Sequence, residues 1–143
     1  MSNRRRRILR FIAIVMLVPA VLILAIFSLQ EARGIGRRNL LIHIDANSIP
    51  EATRAVIYDV QSGREWIGNL DGQHETSITV EAVVLANTSI WHKDESVALS
   101  KFQVNLLNES GENSTQPRML SDLVGSELLK NESIYSPVEI VIR

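Results

Sequence analysis

The chain has 143 residues, 45% of them hydrophobic and 5% aromatic, with no cysteine and a formal net charge of −1. That length leaves room for one small domain beside any membrane segment, and the lack of cysteine excludes disulfides and thiolate chemistry. The small net charge conceals an asymmetry: eight arginines precede Asn39, whereas from Asn39 onward fifteen carboxylates stand against seven Lys and Arg, a net of −8, a balance that disfavours nucleic acid as a partner.

Residues 1–10 form a short basic tail carrying Arg4, Arg5, Arg6, Arg7 and Arg10. Residues 11–29, FIAIVMLVPAVLILAIFSL, contain no charge. As a helix they span roughly 28 Å, close to the roughly 30 Å of a bilayer's hydrocarbon core, so a single transmembrane helix is expected. The run is longer than the usual signal-peptide core, and no A-x-A cleavage site follows it, which favours an uncleaved anchor. The twin-arginine look of Arg5 to Arg10 is explained equally well by an ordinary basic flank. Five arginines before the segment against Arg33, Arg37 and Arg38 after it place the tail in the cytoplasm and the rest in the periplasm or outside the cell. Pro19 lies within the span, where it frees a carbonyl that a neighbouring helix can satisfy, and it is therefore a candidate partner-binding residue.

Residues 30–38, with Gly34 and Gly36 among charges, read as a linker. From residue 39 to 143 the pattern changes to period two. Leu40, Ile42 and Ile44 alternate with Leu41, His43 and Asp45. Ala55 to Val60 and Glu65 to Leu70 flank Gln61-Ser62-Gly63-Arg64, a hairpin pattern. Thr76 to Leu85 sets Ile78, Val80, Ala82 and Val84 against Thr79 and Glu81. Val97 to Leu107 sets Phe102, Val104 and Leu106 against Lys101, Gln103 and Asn105. Val138 to Arg143 alternates in the same way. Ser48-Ile49-Pro50-Glu51 fits a capping box, so a helical turn is expected there. Met119 to Lys130 has helical spacing of its leucines, so a short amphipathic helix is expected after the polar loop Asn108 to Arg118. The sum is a mainly β chain: one N-terminal transmembrane helix, then a small immunoglobulin-like β-sandwich with one short helix. Immunoglobulin-like describes architecture here, since the Cys–Trp–Cys spacing is absent.

No metal ligand set, catalytic constellation or cofactor motif stands out. His43, His74 and His92 each have a carboxylate near in sequence, as any acidic domain provides, but no convergence is legible. No nucleophile elbow occurs. Four Asn-x-Ser/Thr triplets, at Asn87, Asn108, Asn113 and Asn131, would be sugar acceptors in a eukaryote, whereas the cysteine-free composition favours a bacterial envelope. Trp66 and Trp91, the two tryptophans, suit either the core of the sandwich or a partner interface, and both are candidate partner-binding residues. The expected function is that of a non-catalytic accessory or assembly subunit of an integral membrane protein complex. Its contacts would be the lipid bilayer and other chains, with no cofactor, nucleic acid or evident small-molecule substrate. The alternative is a stand-alone, membrane-anchored ligand- or metal-handling envelope domain of chaperone-like type.

Overall fold

The computed structural model describes residues 3–29, 32–89 and 92–143. Helix α1, Asn3–Leu29, continues through Pro19 and is 27 residues long, about 40 Å at 1.5 Å per residue. Its stretch Arg10–Phe27 is long and apolar enough to cross a membrane, and none of that window is buried inside the protein.

Two sheets follow. Strand β1, Ala32–Asp45, takes up most of the stretch expected to be a linker, which becomes strand from Ala32 onward. The reason is its partner. Strand β4, Glu75–Thr88, runs antiparallel to β1 along the whole length, from Ala32 opposite Thr88 to Asp45 opposite Glu75, so the ladder outweighs the low strand propensity of Gly34 and Gly36. Strand β5, Lys93–Ala98, joins β4 over Leu85–Thr88. Strand β8, Leu128–Lys130, edges β5. On the far side β9, Val138–Val141, runs parallel to β1 at Ile42–Asp45. The sheet order is β8-β5-β4-β1-β9.

The second sheet holds β2 (Arg54–Asp59), β3 (Glu65–Asn69), β6 (Phe102–Leu107) and β7 (Arg118–Met119), in the order β3-β2-β6-β7. The β2–β3 hairpin lies where the sequence places it. Gly63 has φ +72° in its turn, a left-handed conformation that glycine adopts freely. Asp59 tightens the same turn by accepting from the backbone N–H of Gln61 and Ser62 and from the Ser62 hydroxyl.

One face of each sheet is apolar, and the two faces share a core cluster. Leu40, Ile42, Ile44, Val80, Ala82 and Val84 from the first sheet meet Ala55, Ile57, Phe102, Val104 and Leu106 from the second. At the β3 edge the layers come very close: a Cβ on Gly68 would stand 2.7 Å from Ile78 Cγ1 and 2.7 Å from Thr76 Oγ1.

Three further local expectations differ from what is found. The alternation from Val97 to Leu107 is two strands, separated by the 3₁₀ turn Leu99–Lys101 that carries the chain from one sheet to the other, with Leu99 fully buried at the corner. The helix expected over Met119 to Lys130 is only α2, Leu120–Val124. Gly125, left-handed at φ +73°, ends it, and Leu128–Lys130 is recruited as the edge strand of β5. The capping-box segment makes turns, with Ile49 N–H donating to Ala46 O and Ala52 N–H to Ile49 O, and no helix forms there.

Candidate interaction surface

Because successive side chains on a strand alternate, placing Leu40, Ile42 and Ile44 in the core sends the odd-numbered residues of β1 to the outer face. Register carries that face across the sheet. Ile35 stands opposite Leu85, Leu85 opposite Ser96, and Ser96 opposite Lys130. Leu128, two residues from Lys130, and Arg33, two residues from Ile35, lie on the same side. Ile35 is 80% exposed, Leu85 56% and Leu128 42%. Together with Arg33, Asp94 and Lys130 they line an open groove of about 740 Å³. It occupies the end of the sheet from which α1 departs.

The charges around this groove divide into engaged and free. Glu95 lies at its rim, 8% exposed and turned toward the core side. Lys93 Nζ reaches its carboxylate at 2.7 Å, and the Tyr135 hydroxyl donates to it. These bonds, that from Lys93 first, hold the Glu95 carboxyl below its ordinary range despite burial. Arg38 lies over the Tyr135 ring at 6.0 Å. The Asn131 amide completes the lattice: its Oδ1 accepts from the Glu95 backbone N–H at 2.9 Å and its Nδ2 donates to Asp94. Asp94 also faces His92 at 3.4 Å. Arg33 and Lys130, by contrast, form no ion pair with a described residue.

Further from α1, two more polar clusters sit on the outer face. Glu81 binds Arg37 at 3.2 Å and Arg64 at 2.6 Å, which ties the β2–β3 turn to β4 and lowers the Glu81 carboxyl, the Arg37 hydrogen bond contributing most. At the far end His43 Nδ1 lies 3.0 Å from Ser77 Oγ, and His43 Nε2 lies 3.6 Å from Glu75 Oε2. This Ser–His–Glu set was not visible in the sequence. The register that pairs His43 with Ser77 and Asp45 with Glu75 creates it. It is a hydrogen-bonded surface cluster. No group of three or more His, Asp or Glu among the described residues is arranged to hold a metal ion.

The residues singled out from the sequence fall in separate places. Trp66 is half-buried and packs edge-on against Phe102, ring centroids 6.2 Å apart, so most of its apolar body serves the core. Pro19 is on the exposed surface of α1. Trp91 lies outside the described residues. The ledge of Ile35, Leu85 and Leu128 was missed, although half of its signal is local. Carrying the Leu40, Ile42, Ile44 phase back along β1 puts Ile35 out of phase with the core, beside Arg33 and Arg37. Comparison with protein-family models, curated proteins and solved structures finds no match. What the fold defines is therefore a class: a mainly β chain of two sheets with one N-terminal helix long and apolar enough to cross a membrane.

Proposed function

We propose that the protein is a single-pass membrane protein, its N-terminal tail in the cytoplasm and its β domain periplasmic or extracellular. In this reading it acts as a non-catalytic accessory or assembly subunit of a larger membrane complex. The domain is read as a two-layer sandwich of immunoglobulin-like type, a framework for presenting surfaces. The observation that carries the proposal is the continuity of anchor and sheet. Only residues 30 and 31 separate α1 from β1, and β1 is paired with β4 from its first residue. Three peptide steps from Leu29 to Ala32 span at most about 11 Å, so whatever α1 packs against bounds how far from it the domain can stand. A helix with Pro19 at its middle is well suited to such packing, because a neighbour can satisfy the freed carbonyl.

Purification of the full chain from its native membrane in mild detergent, followed by native mass spectrometry, tests this. A membrane protein of defined stoichiometry should accompany it, and Trp substitutions along one face of α1 should release that partner. A monomer with nothing bound would refute the subunit reading. One observation favours the second reading, a stand-alone ligand-handling domain: the 740 Å³ groove at the end of the sheet where β1 begins. Saturable binding of a soluble small molecule by the isolated monomer would support it.

A further inference from the structure

We propose that the ledge formed by Ile35, Leu85 and Leu128, flanked by Arg33 and Lys130, is a membrane-contact surface on which the β domain leans against anionic phospholipid. This rests on the reading that α1 crosses a bilayer.

Three observations lead to it. The first is reach. At about 40 Å, α1 is longer than the roughly 30 Å hydrocarbon core and fills most of the roughly 40–45 Å that includes both headgroup layers, so Leu29 ends near the outer headgroups. From Leu29 to Ala32 the chain can extend at most about 11 Å, and Ile35 is about 10 Å further along the strand. The ledge is therefore permanently held within a few nanometres of the bilayer, at a high effective concentration of lipid. The second is chemistry. Three large apolar side chains, exposed by 42–80%, lie on one face of the sheet, on β1, β4 and β8 with β5 between the last two, and the nearest apolar phase is the acyl boundary. The third is charge. Glu95 is paired with Lys93 and Tyr135, and Asp94, on the groove wall, is hydrogen-bonded to Asn131 and lies 3.4 Å from His92. Arg33 and Lys130 have no ion pair with a described residue, and they border the apolar residues in the same groove. Apolar side chains framed by two exposed cations match an anionic headgroup above an acyl chain.

The absence of native cysteine allows a single nitroxide label on the full chain in vesicles of phosphatidylcholine, with or without phosphatidylglycerol. Label at Leu85→Cys reports the ledge, label at Val141→Cys reports the other end of the same outer face, and label at Leu22→Cys reports whether α1 is embedded. With phosphatidylglycerol present, the Leu85 label should be shielded from a water-soluble paramagnetic quencher and accessible to oxygen, while the Val141 label stays open to water. Combining Arg33→Gln with Lys130→Gln should lower the seated-to-free ratio about 30-fold, the factor that two cations at an anionic surface supply. Both residues are exposed, so the fold should survive the change. If the Leu22 label is in hydrocarbon and the Leu85 label is as open to water as the Val141 label, the inference is overturned and the anchor stands. If the Leu22 label is itself in water, the anchor reading fails instead. Shielding at Leu85 that follows the protein-to-lipid ratio and ignores phosphatidylglycerol would assign the ledge to a second copy of the chain and overturn the lipid proposal.

Discussion

Gly68→Ala is the most discriminating single-atom test of how the two sheets meet. The added Cβ would lie 2.7 Å from Ile78 Cγ1 and 2.7 Å from Thr76 Oγ1, distances at which something must move. Ile78 cannot yield cheaply: it is 4% exposed and β-branched, and it sits on β4 opposite Ile42 in the ladder with β1. Overpacking of this kind costs about 1–3 kcal/mol, a large share of the roughly 5–15 kcal/mol that holds a small domain. The full chain in detergent micelles should therefore show a lower urea midpoint at unchanged m value, followed by the fluorescence of Trp66, two residues away on the same strand. Ile78→Ala alone should cost about 2–5 kcal/mol through its cavity. In the double variant the new methyl partly fills that cavity, so the combined loss should fall short of the sum by about 1 kcal/mol or more. Additive losses, or a Gly68→Ala protein as stable as the parent, would refute the close approach of β3 to β4.

The strand register of β6 is tested by Phe102→Asp, which puts a charge at a position 2% exposed and should unfold the β domain, and by Gln103→Asp, one residue on and half-buried, which should be mild; equal effects would show the register to be wrong. Acid should weaken the domain by a predictable route. Glu81 and Glu95 are held below the ordinary 4.5 by Arg37 and Arg64 and by Lys93 and Tyr135 respectively, and Asp71 is held below 3.8 by the backbone N–H groups of Glu75 and Gln73. A carboxyl lowered in the folded state stabilises above its unfolded pKa, and that stability is lost as pH falls through the folded value. Urea midpoints should thus be flat near neutrality and decline below about pH 4.5, and Glu81→Gln with Glu95→Gln should make the decline shallower. For orientation, protease added to spheroplasts should remove the β domain and leave α1 with its tail; protection of the domain would reverse the assignment.

What the chain determines locally is its alternation and its one long apolar run. Helix α1 was legible because nineteen uncharged residues in one run make a helix long and apolar enough to cross a bilayer, and the strands were legible because Leu40, Ile42, Ile44 and their counterparts repeat every second residue. Period two names the face a residue takes, but not the strand it lies beside. Nothing in Val97 to Leu107 announces that the chain changes sheets at Leu99, and nothing in Leu128–Lys130 announces a strand edge in place of a helix. Tertiary pairing with β5 decides that segment, because a three-residue edge strand gains a ready ladder while a helix interrupted by Gly125 gains little packing. The same holds for the surfaces. His43 meets Ser77 across 34 residues, Asn131 meets the Glu95 backbone across 36, and Ile35 meets Leu85 across 50. Such contacts depend on long-range register, which local sequence carries only as a face and a phase, and the ledge at the end of the sheet where β1 begins exists because β1, β4, β5 and β8 happen to align their outer residues there.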